Sequence, residues 1–273
     1  MEDSLRAIIL GLIQGLTEFI PVSSSGHLIL VPWFFGWADQ GLAFDVGLHV
    51  GTLAALLLYF ARDWVRLIRA GLRDGIHHGV RIGGWSRDGQ FLLSLALGTV
   101  PAAVAGLLLD DWIEANVRQA WVVAVTLAAA GVVMLIADRT ARANRTIESA
   151  SWRDAIIVGC AQAVALIPGI SRSGATISAG LWIGLEKADA ARYAFLLGTP
   201  VFVGAALLKL PDLFGDDVAG GQLIAGALTS AVVGLLAIRY LLRHLQRGGL
   251  APFVIYRFGL AGVTLVVAGF RAL

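Results

Sequence analysis

The sequence predicts an all-α integral membrane protein: six transmembrane helices plus two re-entrant broken-helix hairpins, arranged as an inverted-topology repeat. Three observations carry that prediction. Of 273 residues, 58% are hydrophobic and 15% charged, with a mean hydropathy of +0.78; a soluble domain carries about a quarter charged residues. The arginines cluster between apolar runs of spanning length. One unusual element also occurs twice, an apolar helix-like run interrupted by a serine-rich loop bounded by glycine and proline. Lipid cannot hydrogen-bond to exposed backbone, so such a break is tolerated only where it lines a protein cavity. Paired breaks in corresponding halves point to a central binding site.

The first copy runs from Gly11 to Ile29 and the second from Gly159 to Ile177. At a constant offset of 148, Gly11, Gln14, Ser23, Ser25, Gly26 and Ile29 fall on Gly159, Gln162, Ser171, Ser173, Gly174 and Ile177. A second similarity follows, with Phe44, Gly47, Val50 and Ala54 to Leu57 recurring as Phe195, Gly198, Val201 and Ala205 to Leu208. The chain therefore reads as one membrane domain, 1–273, with repeat halves of about 1–137 and 150–273.

Loop charge sets the expected topology. Six arginines lie between Arg62 and Asp88; Arg139, Arg142, Arg145 and Arg153 form a second basic stretch, and Arg239, Arg243 and Arg247 a third. The connections carrying Asp110, Asp111 and Glu114, and Asp212, Asp216 and Asp217, hold no arginine. Placing the basic loops in the cytoplasm gives spans near 44–61, 90–109, 118–137, 190–210, 220–241 and 251–270. Both termini then lie outside, and one broken hairpin dips from each face. The 62–88 connection, rich in glycine and arginine, reads as a surface loop with amphipathic pieces. The N-terminus reads as retained rather than as a signal peptide, because Glu2, Asp3, Gln14, Thr17 and Glu18 interrupt its apolar run. A net charge of +2 gives no support to a nucleic-acid partner, and Cys160, the single cysteine, excludes an intramolecular disulfide.

The two breaks differ in chemistry. In the first, Gln14 and Glu18 share a helical face one turn apart, and Ser23, Ser24, Ser25 and His27 follow Pro21. A charge at bilayer depth costs about 2.5–3.5 kcal/mol even on the lenient insertion scale, which favours a wet cavity or a partner. The plainer reading puts Glu18 at the outer interface and has the serines cap a helix. In the second, Gly169 and Gly174 let the backbone approach a ligand, and Ser171, Ser173 and Thr176 supply hydroxyls. Arg172 adds a planar, always-charged fork suited to phosphate or carboxylate. The plainer reading is a structural Arg172–Glu18 pair that locks the hairpins together.

Gln14-x-x-x-Glu18 with Pro21-Val22-Ser23-Ser24-Ser25-Gly26-His27, then Pro168-Gly169-x-Ser171-Arg172-Ser173-x-x-Thr176, and finally Pro252-Phe253-x-x-Tyr256-Arg257-Phe258 resemble the undecaprenyl-pyrophosphate phosphatase family of the bacitracin-resistance type. The likeness runs essentially end to end. It implies hydrolysis of undecaprenyl pyrophosphate to undecaprenyl phosphate and inorganic phosphate, recycling the lipid carrier for cell-wall synthesis in the bacterial cytoplasmic (inner) membrane. It also implies Glu18, His27, Arg172 and a first-loop serine as functional residues, and a divalent cation, Mg or Ca, with Glu18 as its ligand. The family accepts Glu or Gln at the first motif position, and Gln14 removes one carboxylate.

Ser24 is the candidate nucleophile and Ser23 the alternative, with His27 or Glu18 taking the proton; a cation-activated water is the competing mechanism. Ser23, Ser25, Ser171, Ser173, Gly174 and Thr176 are the expected phosphate-binding set. Gln14, Asp45 and His49 are expected to support it, Asp45 and His49 reading equally well as an interfacial pair. Tyr256 and Arg257 in the last span are placed to meet the lipid headgroup region but read by default as interfacial anchors, His77 and His78 as solvated loop residues, and the eight tryptophans as a membrane belt. The predicted site opens to the periplasmic side. A homodimer is left open. The alternative function is a lipid-phosphate flippase or anion transporter using the same broken helices; the acid–base residues of the first loop alone speak for an enzyme.

Overall fold

The computed structural model describes residues 2–37, 42–209, 211 and 220–272. Asp212, Asp216 and Asp217, and the side chain of Asp111, lie outside the described residues. The described chain is all-α: α1 (Glu2–Phe19), α2 (Ser24–Phe35), α3 (Leu42–Tyr59), α4 (Ala61–His78), α5 (Arg87–Val117), α6 (Ala120–Thr140), α7 (Trp152–Val164), α8 (Arg172–Trp182), α9 (Lys187–Lys209), α10 (Gly220–Leu245) and α11 (Ala251–Arg271).

Among the described residues, five helices are long and apolar enough to cross a membrane: Arg87–Asp110 of α5, and α6, α9, α10 and α11. They coincide with the last five expected spans. Together α3 and α4 supply a sixth candidate, bent by 71° between Tyr59 and Ala61. The chain is a multi-pass membrane protein. By contrast α2, α7 and α8 have 12, 13 and 11 residues. At about 1.5 Å per residue each falls short of the roughly 30 Å hydrocarbon core. The two sequence breaks are thus real interruptions, one between Phe19 and Ser24, the other between Val164 and Arg172.

The 62–88 connection is more ordered than expected, because α4 fills most of it. Leu67, Ala70, Gly71 and Asp74 form its buried face, and α4 packs on α5. Arg62, Arg66, Arg69 and Arg73 line one exposed face, while Val65, Ile68, Leu72 and Ile76 are exposed beside them. That pattern suits a helix lying along an interface. Gly71, which suggests a loop in the sequence, is instead a packing site: a Cβ there would stand 2.6 Å from Leu92.

Packing follows a matched pattern. The principal partner of α1 is α10, and that of α7 is α5. Both crossings are glycine on glycine. A Cβ on Gly11 would stand 2.5 Å from the Gly226 carbonyl oxygen, and one on Gly159 would stand 2.1 Å from that of Gly98. Lipid gives helices no hydrophobic reason to associate, so close backbone approach through small residues supplies the attraction. The tip of α1 reaches α9 through Phe19, which meets Phe195 edge-on at 5.5 Å between centroids. At the base of the second break, Arg145 ties both limbs together. Its guanidinium donates to Asp154 at the start of α7 (2.8 Å) and to the Ile183 carbonyl just past α8 (2.7 Å).

Candidate active site

The two serine loops have the same local geometry. Ser23 and Ser171 precede α2 and α8 with φ of 77° and 74°, a left-handed region that costs a non-glycine residue about 1–3 kcal/mol. Each accepts a bond from the N–H three residues on, Gly26 N to Ser23 Oγ (3.3 Å) and Gly174 N to Ser171 Oγ (3.2 Å). Each also pairs with the hydroxyl two residues on, Ser23 with Ser25 (3.3 Å) and Ser171 with Ser173 (3.2 Å). The first helical residue after each cap, Ser24 and Arg172, lines one shared cavity. Two helix N-termini thus open on it, an arrangement that favours anions.

At that cavity the tips of α1 and α8 meet. Arg172 Nη2 donates to Glu18 Oε1 at 2.5 Å. Glu18 Oε2 accepts from Ser24 Oγ (2.5 Å) and from Gln14 Nε2 (2.8 Å), with His49 Nε2 at 3.7 Å. The carboxylate is therefore buried, oriented from three sides and bonded to a serine hydroxyl. Arg172 stacks over Phe202, its Cζ 3.2 Å from the ring centroid. A guanidinium has five N–H donors; Glu18 is the one hydrogen-bonding partner of the Arg172 guanidinium among the described residues, so donors remain for a ligand. The cavity, about 310 Å³, has an apolar wall of Leu28, Ile29, Leu166, Val201, Ala205 and Ala206. Charged residues also line it: Asp45 is bonded to Arg118 (3.5 Å) and Asp110 to Lys209 (2.6 Å).

Of the sequence-predicted residues, Glu18, Ser24, Ser25, Ser171, Arg172, Asp45 and His49 line this cavity. Ser23, Ser173, Gly174 and Thr176 are buried behind it; Thr176 donates to the Arg172 carbonyl (2.7 Å) inside α8. His27 also lies behind the loop. Its Nδ1 bonds the Ser23 carbonyl and its Nε2 the Tyr256 hydroxyl, both at 2.7 Å, and its ring stacks on Tyr256. Both nitrogens are thus engaged away from Ser24.

Arg257 is the residue that sequence reasoning missed. Rather than anchoring at an interface, it is fully buried. Its guanidinium donates to the carbonyls of Pro21 (3.4 Å), Gly169 (2.7 Å), Ile170 (3.1 Å) and Leu127 (3.1 Å). One side chain thereby clasps the backbone of both loops just before their strained serines.

Among the described residues no three His, Cys, Asp or Glu side chains gather as a metal-binding group. A hard cation can be held by few protein oxygens when substrate phosphates complete its shell. Glu18 offers one such oxygen donor. The buried Gln14 Oε1, which has no hydrogen-bond partner, offers a second on the side chain beside it. Of these two donors only Glu18 lines the cavity, and the Gln14 atom that faces it is Nε2.

The family model described as bacitracin resistance protein BacA matches residues 7–263. Similar proteins named undecaprenyl-diphosphatase come from Moorella thermoacetica, 45% identical over 98% of this chain and 98% of the relative, and from Marinobacter nauticus, 46% identical over 97% and 99%. One from Thermodesulfovibrio yellowstonii is 40% identical over 99% and 100%. With two serine loops sharing one cavity and likeness along nearly its whole length, the chain belongs to the bacitracin resistance protein BacA family.

Proposed function

We propose that the Glu18–Arg172 cavity is where this chain hydrolyses undecaprenyl pyrophosphate to undecaprenyl phosphate and inorganic phosphate. The observation that carries the assignment is the Glu18 carboxylate shared between Ser24 Oγ and Arg172, both at 2.5 Å. Arg172 and the first N–H groups of α2 and α8 hold the terminal phosphate, stabilising charge on its nonbridging oxygens. The apolar wall takes the first part of the prenyl chain. Ser24 Oγ attacks the terminal phosphorus while its proton passes to Glu18; the bridging P–O bond breaks and undecaprenyl phosphate leaves with the proton that Glu18 gives up, so that Glu18 is again a carboxylate. Water then attacks the phosphoserine, its proton passing by way of Glu18 to Ser24 Oγ. His27, bonded to Ser23 and Tyr256, holds the loop in place. A divalent cation, Mg or Ca, would be held through the Glu18 carboxylate and would supply further neutralisation of phosphate charge.

The same reading makes the chain an inverted-topology repeat of six spans and two re-entrant hairpins in the bacterial inner membrane. Support comes from the matched glycine crossings and the matched serine caps. In it α3 is the first span, α4 lies in the cytoplasmic interface, and the cavity opens to the periplasm. The cavity-lining Asp110 and Glu114 belong to a connection that loop charge places outside, and Arg118 and Lys209 stand at the ends of the spans expected to reach that face.

The test is a rapid acid quench of purified protein turning over undecaprenyl pyrophosphate. Wild type should yield phosphoserine at Ser24, and Ser24→Ala should show neither adduct nor turnover. A Ser24→Ala enzyme keeping more than about a tenth of the wild-type rate, a penalty of only about 1.4 kcal/mol, would end the nucleophile assignment.

A further inference from the structure

Gln162 stands apart from every other polar residue of the cavity wall. It lies on α7 and is 2% exposed, yet neither Nε2 nor Oε1 has a hydrogen-bond partner. Its repeat counterpart shows what is missing. Gln14 Nε2 donates to Glu18 (2.8 Å) and to Thr52 (3.5 Å). At the offset that pairs Gln14 with Gln162, Glu18 falls on Leu166; at the offset that pairs Phe44 with Phe195, Thr52 falls on Val203. Both partners have become apolar while the amide has stayed. Gly198 leaves room for it on the facing helix, since a Cβ there would stand 3.4 Å from Gln162 Oε1. A buried amide with no partner loses its hydration and gains nothing in return, so a fold that served only stability would have replaced it.

The position says what could repay that cost. Gln162 is among the residues that line the cavity, as are Arg172 and Ser171, the two that draw an anion into it. A carboxamide offers two N–H donors without charge. The geometry points to Gln162 as a substrate-binding residue whose amide donates to a diphosphate oxygen that Arg172 does not hold. This inference rests on the reading of the Glu18–Arg172 cavity as the diphosphate site. In the first half the amide is committed to the protein and orients Glu18; in the second it is kept for the ligand. A bound water is the competing occupant.

Gln162→Leu separates the two, because leucine removes the amide at little change in volume. Kinetics with undecaprenyl pyrophosphate, and thermal unfolding with and without its methylene-diphosphonate analogue, are measured for Gln162→Leu, Gln14→Leu and Arg172→Lys. Gln162→Leu should raise KM about tenfold, the loss of one charge-assisted hydrogen bond. It should change kcat far less, leave the unliganded melting temperature unchanged or raised, and shrink the analogue-induced shift. Gln14→Leu should lower the unliganded melting temperature instead, because its amide is already bonded. Unchanged KM and an unchanged analogue shift in Gln162→Leu overturn the proposal in favour of a water-filled niche. Destabilisation equal to that of Gln14→Leu overturns it in favour of a structural role. Arg172→Lys isolates the underlying reading: wild-type activity there removes the diphosphate site itself, whereas an inactive Arg172→Lys beside a wild-type Gln162→Leu refutes only the role of Gln162.

Discussion

Ser24 and Arg172 occupy the same place in two copies of one backbone motif. Each is the first residue of a helix that follows a serine at positive φ, with the same cap bond and the same hydroxyl pair behind it. One copy puts a hydroxyl at that place and the other a guanidinium, and Glu18 binds both. Around them the pairs diverge in the same sense. Glu18 is matched by Leu166, His27 by Ala175, and the bonded Gln14 by the unbonded Gln162. The geometry that positions the first helical residue is kept in both copies of the motif, while the proposed acid–base chemistry stays in one and the proposed anion recognition goes to the other. A symmetric site would set two like groups against each other. This one sets a carboxylate bonded to a hydroxyl against a guanidinium, which suits the proposed reaction, in which a nucleophile is deprotonated and a phosphate neutralised together.

The sharpest break of that comparison is Arg172→Lys. If Arg172 is the phosphate clamp, a point charge cannot reproduce its planar fork, and losing a transition-state contact of about 3–4 kcal/mol should cut kcat roughly a hundredfold to a thousandfold. The direct Arg172–Glu18 contact also admits a purely structural pair. The double variant Glu18→Gln with Arg172→Gln decides between them. It should recover much of the stability lost by either single variant, because no charge is left without its partner, and none of the activity. Recovery of turnover in the double variant would make the pair a lock and nothing more.

Arg257 gives the next largest effect, because it treats the two copies alike. Its donors reach carbonyls just before both strained serines. Arg257→Met should therefore cost about 2–4 kcal/mol of stability, as buried carbonyls lose charged donors, and Arg257→Lys should restore part of it. Thermal unfolding in detergent is the measurement. A wild-type melting temperature for Arg257→Met would mean that the loops hold their geometry unaided.

How much of this was legible in the sequence depends on which physical signal each feature leaves. The apolar runs behind α5, α6, α9, α10 and α11 are set by bilayer thickness, so composition finds them. The two breaks were legible because they recur. Helix α4 was obscured because Gly71 and Gly75 read as loop residues, although Arg62, Arg66, Arg69 and Arg73 already follow a helical face. Arg257 was overlooked because a Tyr-Arg pair in a last span resembles an interfacial anchor. The available signal was that α11 holds no carboxylate, so a buried arginine there has to find backbone carbonyls, and the broken loops are where carbonyls lack helical partners. The roles of His27 and Gln162 depend on which way a side chain leaves its helix and on what stands opposite. Motif spacing does not encode that: matching residue types at a fixed offset suggested matching roles for Gln14 and Gln162, whereas their partners differ.

The smallest effect tests the likeness itself. Ser23→Ala and Ser171→Ala each remove a helix cap, which costs about 1 kcal/mol, and each leaves an alanine at the same positive φ. Ser23→Gly and Ser171→Gly also lose the cap but relieve the left-handed strain, so they should lie within a few tenths of a kcal/mol of wild type. The alanine variants should therefore be equally destabilised and the glycine variants equally neutral, whichever half is changed. Activity should not follow that symmetry. Ser23 directly precedes the hydroxyl that Glu18 holds, and its carbonyl holds His27 Nδ1 at 2.7 Å, so disturbing it misplaces the group that attacks in the proposed mechanism. Ser171 directly precedes a guanidinium whose side chain is separately held by Glu18 and Phe202. Ser23→Ala should consequently lower kcat more than Ser171→Ala at equal loss of stability. Equal kcat losses would place the two first helical residues under the same positional demand, and unequal stability losses would mean that the caps are not the shared scaffold.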